Sequence, residues 1–397
     1  MKNFKKAMAF LLAFVLCASL CGCLPQDDSS DMIRVPPIAS KEDDYHDKVD
    51  EIVALLDQYY VDGYDTAELG DYLAEAAVAA AGDRWSYYYT AEEYAERLED
   101  ENNAYVGIGV TVQQMKEDDP GFTITEVSPK GSAYEAGVQV NDIIIAVEGQ
   151  DALELGMDGV KKTIRGEEGT DVTITVLRGK QTIDIVITRK LIMVEVVLYE
   201  LLQDNVGYIK VVQFSNDVAK MTISAIEDLI SQGATGLVFD MRFNPGGFKK
   251  ELVDLLDYLL PSGALFRSVD YQGKEEVDSS DAKCLEMPMA VLVNGDSYSA
   301  AEFFAAALQE YEWATIVGTQ TVGKANYQQT FKLSDGSAVS ISTGHYQTPK
   351  GVTLEGIGVT PDIVVEVDDE TYLNIYYEKL DKTQDEQLQA AINALKK

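Results

Sequence analysis

Between Val206 and Tyr311 the chain alternates short apolar runs with amphipathic ones, and this alternation limits the possible folds more than any other feature. Val206 to Phe214 reads as a strand, and Val218 to Ile230 as an amphipathic helix closed by Gly233. Gly236 to Asp240 is an apolar strand, and Phe248 to Leu260 a helix stopped by Pro261. Ala290 to Val293 and Ala300 to Tyr311 repeat the pair. Units of this kind build an α/β layer with parallel strands, because each crossover helix returns the chain to the same edge direction. Tyr327 to Leu333 and Ala338 to Tyr346, joined by Ser334-Asp335-Gly336-Ser337, read as a β-hairpin. A last helix is expected over 384–396.

The chain has 397 residues, too many for one ordinary core. Residues 43–103 are helical in pattern, with Val49, Ile52, Val53, Leu55 and Leu56 at helical spacing and a capping-box start at Thr90-Ala91-Glu92-Glu93. No chemistry is evident in them, and packing or dimerisation is their expected role. Residues 104–190 are β-rich. The run from Ser128 to Gly149 (SPKGSAYEAGVQVNDIIIAVEG) resembles the signature of a PDZ domain, with Asn141 in place of the usual Gly at a turn that tolerates positive φ. In such a frame Gly107, Ile108 and Gly109 would present backbone N–H groups to a peptide's terminal carboxylate beside an open strand edge.

At the N-terminus Lys2, Lys5 and Lys6 precede an uncharged apolar run from Ala7 to Leu20, the pattern of an export signal. The run is shorter than the ~20 residues of a spanning helix. It ends in Leu20-Cys21-Gly22-Cys23, which resembles a bacterial lipobox and implies cleavage before Cys23 and lipid on its sulfur. Residues 1–22 are then a lipoprotein signal peptide and 23–42 a polar tether. The protein would sit outside the cell, lipid-anchored to the outer face of the cytoplasmic membrane. Only Cys284 would then remain, so no intramolecular disulfide is expected. With 32 basic against 67 acidic residues, a net charge of −35, nucleic acid is not an expected partner.

The segment Asn294 to Glu302 (NGDSYSAAE) follows an apolar strand and opens a helix, so Ser299 falls where free backbone N–H groups and the positive end of a helix dipole meet. Alone, Ser299-Ala300-Ala301-Glu302 is equally a capping box. A nucleophilic serine needs a base. Of the two histidines, His46 lies beside the tether and His345 on the hairpin, where sequence does not exclude it. Lys324 serves instead if burial disfavours its charge, and by itself it reads as an exposed loop lysine.

Four segments in order resemble the carboxyl-terminal processing peptidases, the tail-specific serine proteases of family S41. They are residues 240–247 (DMRFNPGG), 297–302 (SYSAAE), 317–328 (VGTQTVGKANYQ), and 348–351 (TPKG) with 356–362 (GIGVTPD). The 25-residue offset from Ser299 to Lys324 matches as well. The resemblance implies Ser299 as nucleophile, Lys324 as general base and Gln328 as the group that orients the lysine. It implies an oxyanion hole from the backbone N–H groups of Ala300 and of Gly246 or Gly247. Ser297 is the alternative nucleophile. Tyr298 and Ala325 depart from the family pattern, beside the nucleophile and after the lysine, and bear on substrate fit.

The resemblance implies a multidomain α+β and α/β chain: a helical N-terminal segment, a PDZ domain, an α/β protease core over 191–370 with its hairpin, and a C-terminal helical segment over 371–397. It implies protein or peptide substrates with free C-termini. Arg165 is a candidate sensor of the bound tail. Relatives often dimerise through terminal helices, so a homodimer is open. No P-loop, metal-ligand cluster or dinucleotide fingerprint is present, so neither metal nor cofactor is expected. The rival functions are a non-catalytic PDZ scaffold that binds tails and an α/β ligand-binding protein.

Overall fold

A computed structural model describes residues 45–116 and 119–396. The export signal, Cys23 and the tether lie outside the described residues. The described chain forms two compact units, residues 45–97 with 196–396, and residues 98–195.

In the larger unit, strands Val197–Leu201, Val206–Val211, Gly236–Asp240, Met289–Val293, Ala314–Gly318 and Ile363–Val364 lie in that order in one sheet. All neighbouring pairs are parallel except the first. Helices cover both faces, so the central strands are apolar at successive positions rather than alternately. Leu237, Phe239, Val291 and Val293 pack with the helices Val218–Ser231, Lys249–Leu259 and Ala300–Glu310. Val238, Ala290 and Leu292 face Leu388 and Ala391 of the last helix, Glu386–Ala394. Each such fully buried Val, Leu or Phe side chain contributes roughly 1.5–3 kcal/mol.

The expected hairpin is present as Asn326–Lys332 and Ala338–Gln347, and it belongs to a second sheet. Strand Tyr87–Tyr89 pairs with Ser340, Val339 and Ala338 at one end of Ala338–Gln347. Strand Gly263–Asp270 pairs at the other end and carries Glu275–Ser280. These last two strands are absent from the sequence reading, because GALFRSVD and EEVDSS show no clean alternation. The pairing of Tyr87–Tyr89 joins its segment to this second sheet, and residues 45–97 fall in the larger unit, whereas the sequence divides the chain after residue 103. Helix Ala91–Glu101 starts with the expected capping box: Glu93 N donates to Thr90 Oγ1 at 3.2 Å and Thr90 N to Glu93 Oε2 at 2.9 Å.

In the smaller unit, Val110–Gln113, Phe122–Val127, Ile143–Val147, Asp171–Arg178 and Gln181–Thr188 form a sheet in that order. It closes over a core of Ile108, Ile124, Ile144, Val160, Val172, Ile174 and others. Asn141 takes the positive φ expected of its turn, at 73°. The neighbouring Asp142 accepts both Nε and Nη2 of Arg178 at 2.7 Å. Burial works against the Asp142 charge, but Arg178 and the Gln139 amide outweigh it and hold the carboxyl below its ordinary range.

Candidate active site

Strand Met289–Val293 is buried along its length and delivers the chain to the turn that precedes helix Ala300–Glu310. The turn is cross-braced to the loop after Gly236–Asp240. Asn294 Oδ1 accepts Phe243 N at 3.0 Å, and Ser297 Oγ donates to Met241 O at 2.7 Å and accepts Asn294 N at 2.9 Å. Ser297 is therefore committed to structure, which weighs against it as the nucleophile. Ser299 follows with φ 56° and ψ −125°. A non-glycine residue in this region stores on the order of 1–3 kcal/mol of strain and persists only where its surroundings enforce it.

The enforcing contact is Gly246. A Cβ at Gly246, which has φ 92°, would stand 2.7 Å from Ser299 Cβ, 2.8 Å from Ala300 N and 2.9 Å from Tyr298 O. The absence of a side chain lets this backbone lie directly on the turn at Ser299. The Gly246 N–H donates to Asn244 Oδ1 at 2.8 Å, and its carbonyl accepts Phe214 N at 2.7 Å. Of the pair named from sequence, Gly246 thus supplies close approach to the turn at Ser299, and its N–H donates within its own loop.

Glu302 ties the turn at Ser299 to the loop that carries Lys324. Its fully buried carboxylate accepts Ser299 N at 2.9 Å and Lys324 N at 2.9 Å on Oε2, and Gly323 N at 2.7 Å on Oε1. Thr321 Oγ1 donates to Oε1 as well. The Ser299 and Lys324 nitrogens share one acceptor oxygen, so their separation is at most twice that 2.9 Å distance. Burial pushes the Glu302 carboxyl up, and these four donors pull it back toward ionisation. In sequence Glu302 reads only as a helix-capping residue; its second role depends on a loop 21 to 22 positions away.

Lys324 is 1% exposed, far from the surface lysine that it resembles when taken singly. Its Nζ stands 4.7 Å from the Trp85 ring centroid and 5.9 Å from that of Tyr298. Those two rings stack at 6.2 Å and 24°. Tyr298, a departure from the family pattern, is thus a wall of the lysine pocket. Trp85 comes from the segment expected to serve in packing or dimerisation, and the pairing of Tyr87–Tyr89 with Ala338–Gln347 carries the preceding turn to Lys324. Gln328, 2% exposed, donates its Nε2 to Ser342 Oγ at 2.9 Å and to Asn326 O at 3.1 Å. Ala325 is buried, with its N–H given to Glu355 at 2.7 Å. The His345 ring is exposed with Nδ1 against Asn326 Oδ1 at 2.7 Å, and His46 is exposed against Tyr45.

A buried cluster anchors the loop that carries Gly246. Arg242 pairs with Asp240 at 2.6 Å and with Asp385 at 2.8 Å, and its Nη1 donates to Gln387 Oε1 at 3.0 Å. Tyr208 OH donates to Asp240 at 2.8 Å. Burial opposes the Asp240 charge, but Arg242 outweighs it and holds that carboxyl below its usual range.

In the smaller unit, Gly107 and Ile108 are buried, and Gly109 has φ 80°. The carbonyls of Ile108 and Gly109 accept Ala133 N and Ser128 N, each at 2.9 Å. A Cβ at Gly109 would lie 2.8 Å from Gly131 Cα, so glycine is required for the 107–109 loop to lie on the 128–133 turn. Arg165 Nη1 pairs with Glu99 at 3.0 Å, and its guanidinium lies 5.0 Å from the Tyr105 centroid. Among the described residues no group of His, Cys, Asp and Glu is arranged to hold a metal ion, and no helix is long and apolar enough to cross a membrane.

The sequence profile "Peptidase family S41" matches residues 205–365 and "PDZ domain" matches residues 123–178. A Staphylococcus epidermidis protein named "Probable CtpA-like serine protease" is 31% identical over 332 residues, 83% of this chain and 67% of that one. Its Staphylococcus aureus counterpart of the same name is 30% identical over 334 residues, 83% of this chain and 66% of that one. The solved photosystem II D1 C-terminal processing protease is 26% identical with a TM-score of 0.47, covering 79% of this chain and 86% of that one.

Proposed function

The chain belongs to peptidase family S41, among the serine peptidases of the C-terminal processing type, and on that premise we propose that it is an exported endopeptidase in which Ser299 is the nucleophile and Lys324 the base. The observation that carries this reading is the Glu302 carboxylate, which accepts the backbone of both residues on one oxygen inside a closed core. Burial of the lysine disfavours its charged form and so favours an amine able to accept a proton. That amine takes the Ser299 proton as Oγ attacks the scissile carbonyl, and the amides of Ala300 and of Gly246 or Gly247 receive the oxyanion. The leaving amine departs with a proton from Lys324, and water then releases the acyl group. Gln328, with Nε2 held by Ser342 and Asn326, has Oε1 as the end that accepts from the lysine.

The PDZ domain selects the substrate. Its 107–109 loop would bind a free C-terminal carboxylate and deliver the tail for cleavage. Anchoring through lipid on Cys23 would keep the enzyme at the outer face of the membrane.

The test uses the purified chain and a peptide with an apolar tail, offered with a free or an amidated C-terminus. Wild type cleaves the free form with the higher kcat/KM, and Ser299→Ala and Lys324→Ala abolish cleavage. Activity that survives Ser299→Ala refutes the nucleophile, and equal cleavage of the two tails refutes carboxylate capture. His345→Ala retains activity. Membrane association that persists in Cys23→Ala refutes the lipid anchor.

A further inference from the structure

We propose that the turn 83–86 is part of the base assembly: Asp83 and Trp85 are positioning residues that hold Lys324 and stabilise the ammonium it becomes on taking the Ser299 proton. The inference rests on the Ser299–Lys324 reading above. In the attack the Oγ–C bond forms, the carbonyl π pair moves to oxygen, and the serine proton passes to the Nζ lone pair. Negative charge thus appears on the carbonyl oxygen, where amides stand. Positive charge appears on Nζ, in a pocket with little access to water.

Two features face that positive charge. The Trp85 ring lies 4.7 Å from Nζ, inside the range in which an aromatic face attracts a cation. Asp83 accepts Trp85 N at 3.1 Å and Ser86 Oγ at 2.6 Å. Taken alone that is an ordinary side-chain turn. Its setting is not ordinary, because the same turn reaches the group that orients the lysine. Ser86 Oγ accepts Ser342 N at 3.1 Å, and Ser342 Oγ accepts Gln328 Nε2 at 2.9 Å. Burial opposes the Asp83 charge, but Ser342, Ser86, the Trp85 amide and the Lys324 charge outweigh it and keep the carboxyl below its usual range. The other charged groups around the lysine loop are otherwise engaged. Glu302 holds four donors, Glu355 accepts Ala325 N, and Arg84 is exposed with its guanidinium 4.2 Å from the Trp85 centroid. The arrangement is the lysine counterpart of a carboxylate that supports a catalytic imidazolium.

The pH profile of kcat/KM separates this role from a structural one. Lys324 must be neutral to act, so activity rises with pH through its titration. Removing the Asp83 charge makes the ammonium less stable, so in Asp83→Asn the acidic limb moves to lower pH, by about one unit, while the plateau kcat falls roughly tenfold. Trp85→Leu lowers kcat about tenfold and Trp85→Phe restores most of it. An acidic limb that stays in place in a folded Asp83→Asn overturns the proposal, whatever happens to the plateau. If Asp83→Asn does not fold, the Trp85 pair decides, and equal kcat for Trp85→Leu and wild type overturns it. Ser299→Ala and Lys324→Ala run alongside. Survival of activity in either sinks the Ser–Lys reading itself, whereas loss in both with an unmoved Asp83→Asn limb sinks this inference alone.

Discussion

Replacing Gly246 by alanine tests how the turn at Ser299 is held. The new Cβ would sit 2.7 Å from Ser299 Cβ, against the 3.5–4.0 Å of an ordinary carbon contact, so the two must part by roughly 0.8 Å. The glycine side has little room to retreat. Gly246 O accepts Phe214 N at 2.7 Å, Phe248 N donates back to Phe214 O at 2.6 Å, and a Cβ at Gly247 would already lie 2.2 Å from Phe214 O. The displacement therefore falls on Ser299 and Ala300. A misplacement near 1 Å costs about 10²-fold in rate, so kcat should drop by about that factor. Positive φ adds about 1–2 kcal/mol, and with the clash Tm should fall by roughly 4–12 °C for a unit of this size. Gly273→Ala is the control. Its φ is 80° and a Cβ there meets nothing within 4 Å, so it carries the backbone cost without the clash. Kinetics on a fluorogenic peptide and thermal unfolding are measured for both. Wild-type kcat in Gly246→Ala, or an equal loss of kcat in Gly273→Ala, would refute the reasoning.

Glu302→Gln turns an acceptor of four donors into a group whose Nε2 must face an N–H, leaving at least one buried donor unsatisfied at about 1–3 kcal/mol. It should lower kcat more than tenfold with KM little changed; unaltered kcat would remove Glu302 from the positioning of Ser299 and Lys324. Asp142 has a depressed carboxyl, so its contribution is present above the unfolded value of about 3.9 and is lost as pH falls through the folded one. Denaturant unfolding should show Asp142→Asn less stable than wild type at neutral pH, with the gap closing in acid. A gap that widens in acid contradicts the Arg178 pairing.

Much of the site was legible because its groups sit in short runs that local rules place. An apolar strand followed by NGDSYSAAE puts Ser299 at a helix start in any α/β layer, and a glycine pair in DMRFNPGG marks a loop that another backbone approaches. The parallel strands of 206–293 follow from the same alternation. The second sheet was less legible, since Glu275–Ser280 owes its conformation to the strand Gly263–Asp270 beside it rather than to its own pattern.

By itself, the sequence determined the α/β and PDZ units and the serine and lysine with their spacing, since these depend on periodicity and on residues near one another in the chain. Only the tertiary structure decided which neighbours bury Lys324 instead of leaving it on the surface. Trp85 comes from 239 positions before it, through Tyr87–Tyr89 pairing with Ala338–Gln347, and Glu302 joins two loops through one carboxylate. Such contacts are set by sheet pairing and burial, which no local pattern around Lys324 encodes.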